Sequence, residues 1–75
     1  MRPEVRLSMR ALLDAGVRTT DRRTLRHAEA RLDASMESIG IWPSVRSALV
    51  AGCRQAADVI AGRVPPAARP RRLLR

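Results

Sequence analysis

Residues 3–40, PEVRLSMRALLDAGVRTTDRRTLRHAEARLDASMESIG, decide the fold of this chain. Pro3 suits the first turn of a helix, where its missing N–H costs nothing, and Gly16 suits the left-handed residue just past a helix end. Thr19 or Thr20 can cap a second helix, with Asp21 in its first turn. Gly40 ends that helix, and Ile41 is placed for the hydrophobic contact that accompanies such an ending. Between these signals the apolar residues recur three and four apart: Val5, Met9 and Leu12 in one segment, Leu25, Ala28 and Leu32 in the other.

These two stripes can be paired by arithmetic. In an antiparallel helical hairpin, facing residues have position numbers with a roughly constant sum. Val5 with Leu32, Met9 with Ala28 and Leu12 with Leu25 each add to 37. Beside them run two charged columns at i, i+4 spacing. Arg2, Arg6 and Arg10 match Glu37, Asp33 and Glu29, each pair adding to 39. The expectation is a hairpin whose charges face each other across a solvated seam. Exposed ion pairs are worth about 0–1 kcal/mol each, so such a ladder specifies register more than it stabilises.

Outward from the hairpin, Pro43 restarts the chain as a third helix, and Gly62 with Val64-Pro65-Pro66 stops it. Trp42, Val45, Leu49, Gly52 or Cys53, Ala56 and Ile60 form its apolar stripe, with Trp42 closing one end of the core. The expected helices cover residues 3–15, 20–39 and 43–61. The fold class is all-α: a small three-helix domain over residues 1–62, built on an antiparallel hairpin. Residues 63–75 then form an extended basic arm, because three prolines there exclude a regular helix and favour a polyproline-like path.

Charge is the strongest functional signal. The chain carries 15 Lys+Arg against seven acids, a net +8, and every one of those bases is arginine. Lysine, Asn, Phe and Tyr are absent, a pattern that GC-rich coding produces by itself, so the choice of arginine over lysine says little about phosphate recognition. The excess of bases over acids is not explained that way. Arg63, Arg69, Arg71, Arg72 and Arg75 place five positive charges and no acid in the last thirteen residues. A second cluster, Arg18, Arg22, Arg23 and Arg26, sits at the hairpin turn. There its order opposes the helix macrodipole, which favours acids first, and free backbone N–H groups beside it would suit a phosphate.

The segment ALLDAGVRTTDRRTLR, residues 11–26, resembles the helix-turn-helix of transcription regulators in its turn glycine Gly16, the apolar Val17 after it, Thr19 as cap and Leu25 on the second helix. It departs at Arg22, where that motif wants an apolar anchor. The segment is not assigned to the family.

Catalytic chemistry has little to draw on. His27 is the single imidazole and stands on a helix without a Ser, Cys or acid at triad spacing, and Cys53 lies on an apolar stripe. One Cys and one His exclude an internal disulfide and a Cys/His zinc cluster. Glu29 and Asp33 are expected to face Arg10 and Arg6. No glycine-rich phosphate loop is present. No apolar run approaches the roughly 20 residues that span a bilayer, and the N-terminus has no signal-peptide core.

The expected function is therefore non-enzymatic binding of duplex DNA or another polyanion by Arg18, Arg22, Arg23 and Arg26 and by the arm's Arg63, Arg69, Arg71, Arg72 and Arg75. The alternative is a helical protein–protein or self-assembly module whose arm docks on an acidic partner. A homo-oligomer or a partner protein is expected, since a 75-residue chain buries only a small core. Cofactor, metal, small-molecule substrate and membrane are not expected, and the location is expected to be cytoplasmic.

Overall fold

The computed structural model describes residues 2–64 of the chain. They form three helices, α1 (Pro3–Arg18), α2 (Arg22–Glu37) and α3 (Pro43–Ile60), with no strand among the described residues. Pro3 and Pro43 occupy first-turn positions, as their sequence context predicts. The two glycine stops also hold. At Gly40 (φ 81°) the Ile41 N–H donates to Met36 O at 3.2 Å and the Gly40 N–H to Glu37 O at 3.0 Å. At Gly62 (φ 78°) the Arg63 N–H donates to Asp58 O at 2.9 Å and the Gly62 N–H to Val59 O at 3.0 Å. These are the paired bonds of a Schellman ending, which needs a left-handed residue at its corner.

The α1–α2 corner differs from the sequence expectation. Gly16 does not end α1; the helix runs on to Arg18 and breaks at Thr19, whose N–H still donates to Ala15 O at 2.9 Å. The cap of α2 is Asp21 rather than either threonine. Its carboxylate accepts from the Thr24 N–H at 3.0 Å, while the Thr19 hydroxyl accepts from the Asp21 N–H at 3.0 Å. A carboxylate competes well for the cap position because it satisfies an orphan donor and complements the helix dipole together.

Gly16 is buried for a different reason. A Cβ built on it would lie 2.6 Å from the Cβ of Ala57, which is itself fully buried on α3. Two backbones approach at this point more closely than two alanines permit. Just beyond it, the chain leaving α3 ties back to α1. The Arg63 guanidinium donates to Gly16 O at 2.7 Å and Val17 O at 3.1 Å, with Asp58 Oδ1 at 2.7 Å holding its other side. These carbonyls belong to the last turn of α1, where intrahelical donors run out and a cation is favoured.

Val5 and Leu12 of α1, Leu32 and Met36 of α2, and Cys53 of α3 form the buried cluster, with Met9, Leu13, Ala28, Ile41, Leu49 and Val50 packed against it. The stripes of the first two helices thus point where their spacing indicates. That of α3 is turned by about one residue: Cys53 and Ala57 face inward, while Val45, Ala56 and Ile60 are exposed. Trp42 does not close the core; it stands 74% exposed. Helix α3 has Ala, Gly or another small residue on most of its faces, so its own pattern defines a direction poorly. The close approach at Gly16 selects the face instead.

Glycine substitutions separate packing from propensity. Gly52 lies inside α3 with open space around its missing Cβ. Gly52→Ala should raise stability by about 0.5–1 kcal/mol in a urea melt, the ordinary helix-propensity gain. Gly16→Ala should lower it, because forcing a methyl group into the α1–α3 contact costs about 1–3 kcal/mol and outweighs that gain. Equal stabilisation by both substitutions would rule out the close approach.

Candidate nucleic-acid interface

Two of the three carboxylates that the hairpin ladder would assign to α1 are held from α3 instead. Asp33 receives the Arg46 Nε of α3 at 2.9 Å, and Arg46 Nη1 also donates to Ile41 O at 2.7 Å. Glu29 is held by Arg54 Nη1, likewise from α3. Asp58, a neighbour of Arg54 in sequence, binds Arg63 instead. The ladder of Arg2, Arg6 and Arg10 against Glu37, Asp33 and Glu29 is therefore not formed as ion pairs among the described residues. The reason lies in the third helix. Arg46 is only 15% exposed, wedged in the α2–α3 seam, and a pair partly withdrawn from water outcompetes one screened by solvent.

The consequence is a set of arginines without a carboxylate partner among the described residues. Arg2, Arg6 and Arg10 line α1, and Arg22, Arg23 and Arg26 lie on the first two turns of α2; all six are exposed. Arg18, also exposed, turns its Nε to its own helix at Asp14 O, 3.3 Å away. The turn cluster expected from sequence thus stands in solvent. The sequence pattern alone does not single out Arg2, Arg6 and Arg10, because it offers each of them a matching acid on α2. Only the placement of Arg46 and Arg54 opposite those acids could have revealed this.

Two features modify the expected cluster. Asp21 sits inside it, and its carboxyl is held below its ordinary pKa, first by the Thr24 hydroxyl at 2.6 Å and then by the Thr24 N–H. It stays ionised and occupies the helix N-terminus, so the backbone there offers a phosphate less than the sequence suggests. Arg63 has its guanidinium engaged by Asp58 and the end of α1, leaving it a structural clamp as well as a charge. Arg69, Arg71, Arg72 and Arg75, and the arm that carries them from residue 65, lie outside the described residues.

The remaining chemistry is sparse. Cys53 is 6% exposed, and burial pushes its thiol pKa up, which disfavours the nucleophilic thiolate. His27 is exposed on α2, while Glu29 and Asp33 are engaged by arginines. Among the described residues no three His, Cys, Asp or Glu side chains gather as metal ligands, and no helix is long and apolar enough to cross a membrane.

Reversing charges reads out the pairing directly. Asp33→Arg and Arg46→Asp should each destabilise, and the double reversal should recover about 1 kcal/mol of coupling. Arg6→Glu should change stability by no more than about 0.5 kcal/mol, as for an unpaired surface residue. A coupling between Arg6 and Asp33 in place of Arg46 and Asp33 would restore the ladder. The Asp21 cap has a pH signature. Folding lowers this pKa, so its contribution is complete above the ordinary carboxylate range and fades as pH falls through the lowered value. The melting temperature of Asp21→Ala should lie below wild type at pH 7, and the two should converge in strong acid. Asp21→Asn, which can accept the same hydrogen bonds, should keep part of the difference without its titration.

No family model matches the chain, and no curated protein or solved structure is significantly similar to it.

Proposed function

We propose that this chain is a non-enzymatic helical module of the cytoplasm that binds duplex DNA through its phosphates. The observation that supports the reading most is the consumption of Glu29 and Asp33 by α3, which leaves the exposed arginines of α1 and the start of α2 without a salt-bridged carboxylate among the described residues. A surface with surplus guanidinium groups attracts a polyanion whatever its sequence, because each phosphate it neutralises releases a condensed counterion. In this reading Arg18, Arg22, Arg23 and Arg26 contact the duplex at the turn end. The arm that begins near Arg63 follows the backbone with Arg69, Arg71, Arg72 and Arg75. The finer architecture belongs to the same proposal: α1 and α2 lie antiparallel, as the short link Thr19–Asp21 and the shared burial of Val5, Leu12, Leu32 and Met36 favour.

A second reading has its own support. Leu7, Trp42 and Ile60 are 69%, 74% and 67% exposed, which suits a helical module that covers them in a homo-oligomer or against another protein.

Fluorescence anisotropy of labelled duplexes across salt concentrations distinguishes the two. Wild type should bind unrelated duplexes with similar affinity and a log–log salt slope of about −7, for about eight neutralised phosphates. Ending the chain after Val64 removes four arginines and should flatten that slope by about 3 to 4. Arg22→Ala with Arg23→Ala should flatten it by about 2. If affinity and slope survive both changes, DNA binding is not the function of these residues and the assembly reading leads.

A further inference from the structure

An open groove of about 970 Å³ runs along the outer side of α1, with Ile60 of α3 also on its lining. Its floor is apolar: Leu7, Leu13, Val17 and Ile60, of which Leu7 and Ile60 are among the most exposed aliphatic side chains of the described residues. Arg6 and Arg10, one helical turn apart, stand beside that floor with no carboxylate partner among the described residues. Arg18 lies at the far end, and Asp14 is the one acid on the lining. The groove follows α1 from Pro3 to Val17, a span of about 21 Å at the helical rise.

We propose that this groove is a docking site for an acidic amphipathic helix of another protein. An apolar trough of this length takes about four turns of a partner helix, laid in through anchors at i, i+3 or i+4, and i+7. Arg6 and Arg10 then meet carboxylates that flank the partner's apolar stripe at matching one-turn spacing. Charge selects this occupant over the two that the chain could supply itself. A second copy brings a net charge of +8 to a basic rim. The chain's own Leu73-Leu74 is flanked by Arg71, Arg72 and Arg75, and would set like charges against Arg6 and Arg10. Duplex DNA matches the arginines but has nothing to place on the aliphatic floor. The inference does not rest on the DNA reading: the groove shares Arg6, Arg10 and Arg18 with that surface, but its aliphatic floor and Ile60 have no part in it, and Arg22, Arg23, Arg26 and the arm are not part of the groove.

The test is NMR titration of the full chain, labelled with 15N, with two synthetic helical peptides. One carries a leucine stripe at helical spacing flanked by glutamates; the other has lysine in place of every glutamate. The glutamate peptide should shift the amides of Leu7, Leu13, Val17 and Ile60. Its affinity should fall about tenfold or more in Leu7→Gln and in Ile60→Gln, as for truncated buried anchors. Both positions are exposed, so the fold should be retained, and an unchanged helical circular dichroism spectrum establishes that. Arg6→Glu with Arg10→Glu should weaken the glutamate peptide and strengthen the lysine peptide. Equal binding of the two peptides, shifts confined to other surfaces, or indifference to Leu7→Gln and Ile60→Gln would overturn the proposal. So would sedimentation showing a dimer that the same two substitutions dissociate, since the occupant is then a second copy. A short duplex shifting these aliphatic positions as strongly as the glutamate peptide would assign the groove to nucleic acid instead.

Discussion

The structure depends on the close approach of α1 and α3 at Gly16 and Ala57, where even one added methyl group would meet another at 2.6 Å. Close-packed interiors tolerate such added volume poorly. This contact sets the rotation of α3, and the rotation sets nearly everything else. It turns Cys53 and Ala57 inward, leaves Ile60 and Trp42 in solvent, and brings the α3 C-terminus to the end of α1. Arg63 then closes the corner by donating to two carbonyls that α1 cannot satisfy by itself. A glycine and an arginine 47 positions apart thus share one task, the fixing of two helix ends against each other.

Charge distribution follows from the same geometry. With α3 docked on this face, Arg46 and Arg54 reach Asp33 and Glu29, and α2 loses the acids that would have offset α1. Each seam pair stabilises modestly. Its larger effect is on the outer surface, where Arg2, Arg6 and Arg10 stand without a carboxylate counterpart among the described residues. A net charge spread over the sequence becomes a directional field only because the interior pairs are formed asymmetrically. The outer side of α1 combines that field with uncovered aliphatic side chains, a combination that a simple solvated helix face does not have.

Much of the candidate site could be read in advance. Arg18, Arg22, Arg23 and Arg26 were visible as a basic cluster around a turn, and all four are exposed. Their neighbour Asp21 was visible too, but its seat at the cap was not, because Thr19, Thr20 and Asp21 are all competent caps and only the length of α1 chooses among them. The groove could not be read at all. Leu7 and Leu13 lie on α1 beside its core stripe, and nothing in their spacing says which of the neighbouring apolar residues another helix will cover.

The sequence by itself determined the helical class, the number of helices, the boundaries marked by Pro3, Gly40, Pro43 and Gly62, and the inward faces of α1 and α2. Each of these is a local property: backbone conformations that only Gly or Pro satisfies, or an apolar periodicity written within a single helix. The tertiary structure decided the role of Gly16, the face of α3, the exposure of Trp42 and the partners of every paired acid. Pairing numbers along two helices cannot contain the third. An alanine-rich helix presents nearly equivalent faces, so packing distance, and not hydrophobic contrast, settles which side turns inward and which arginines are carried to the acids.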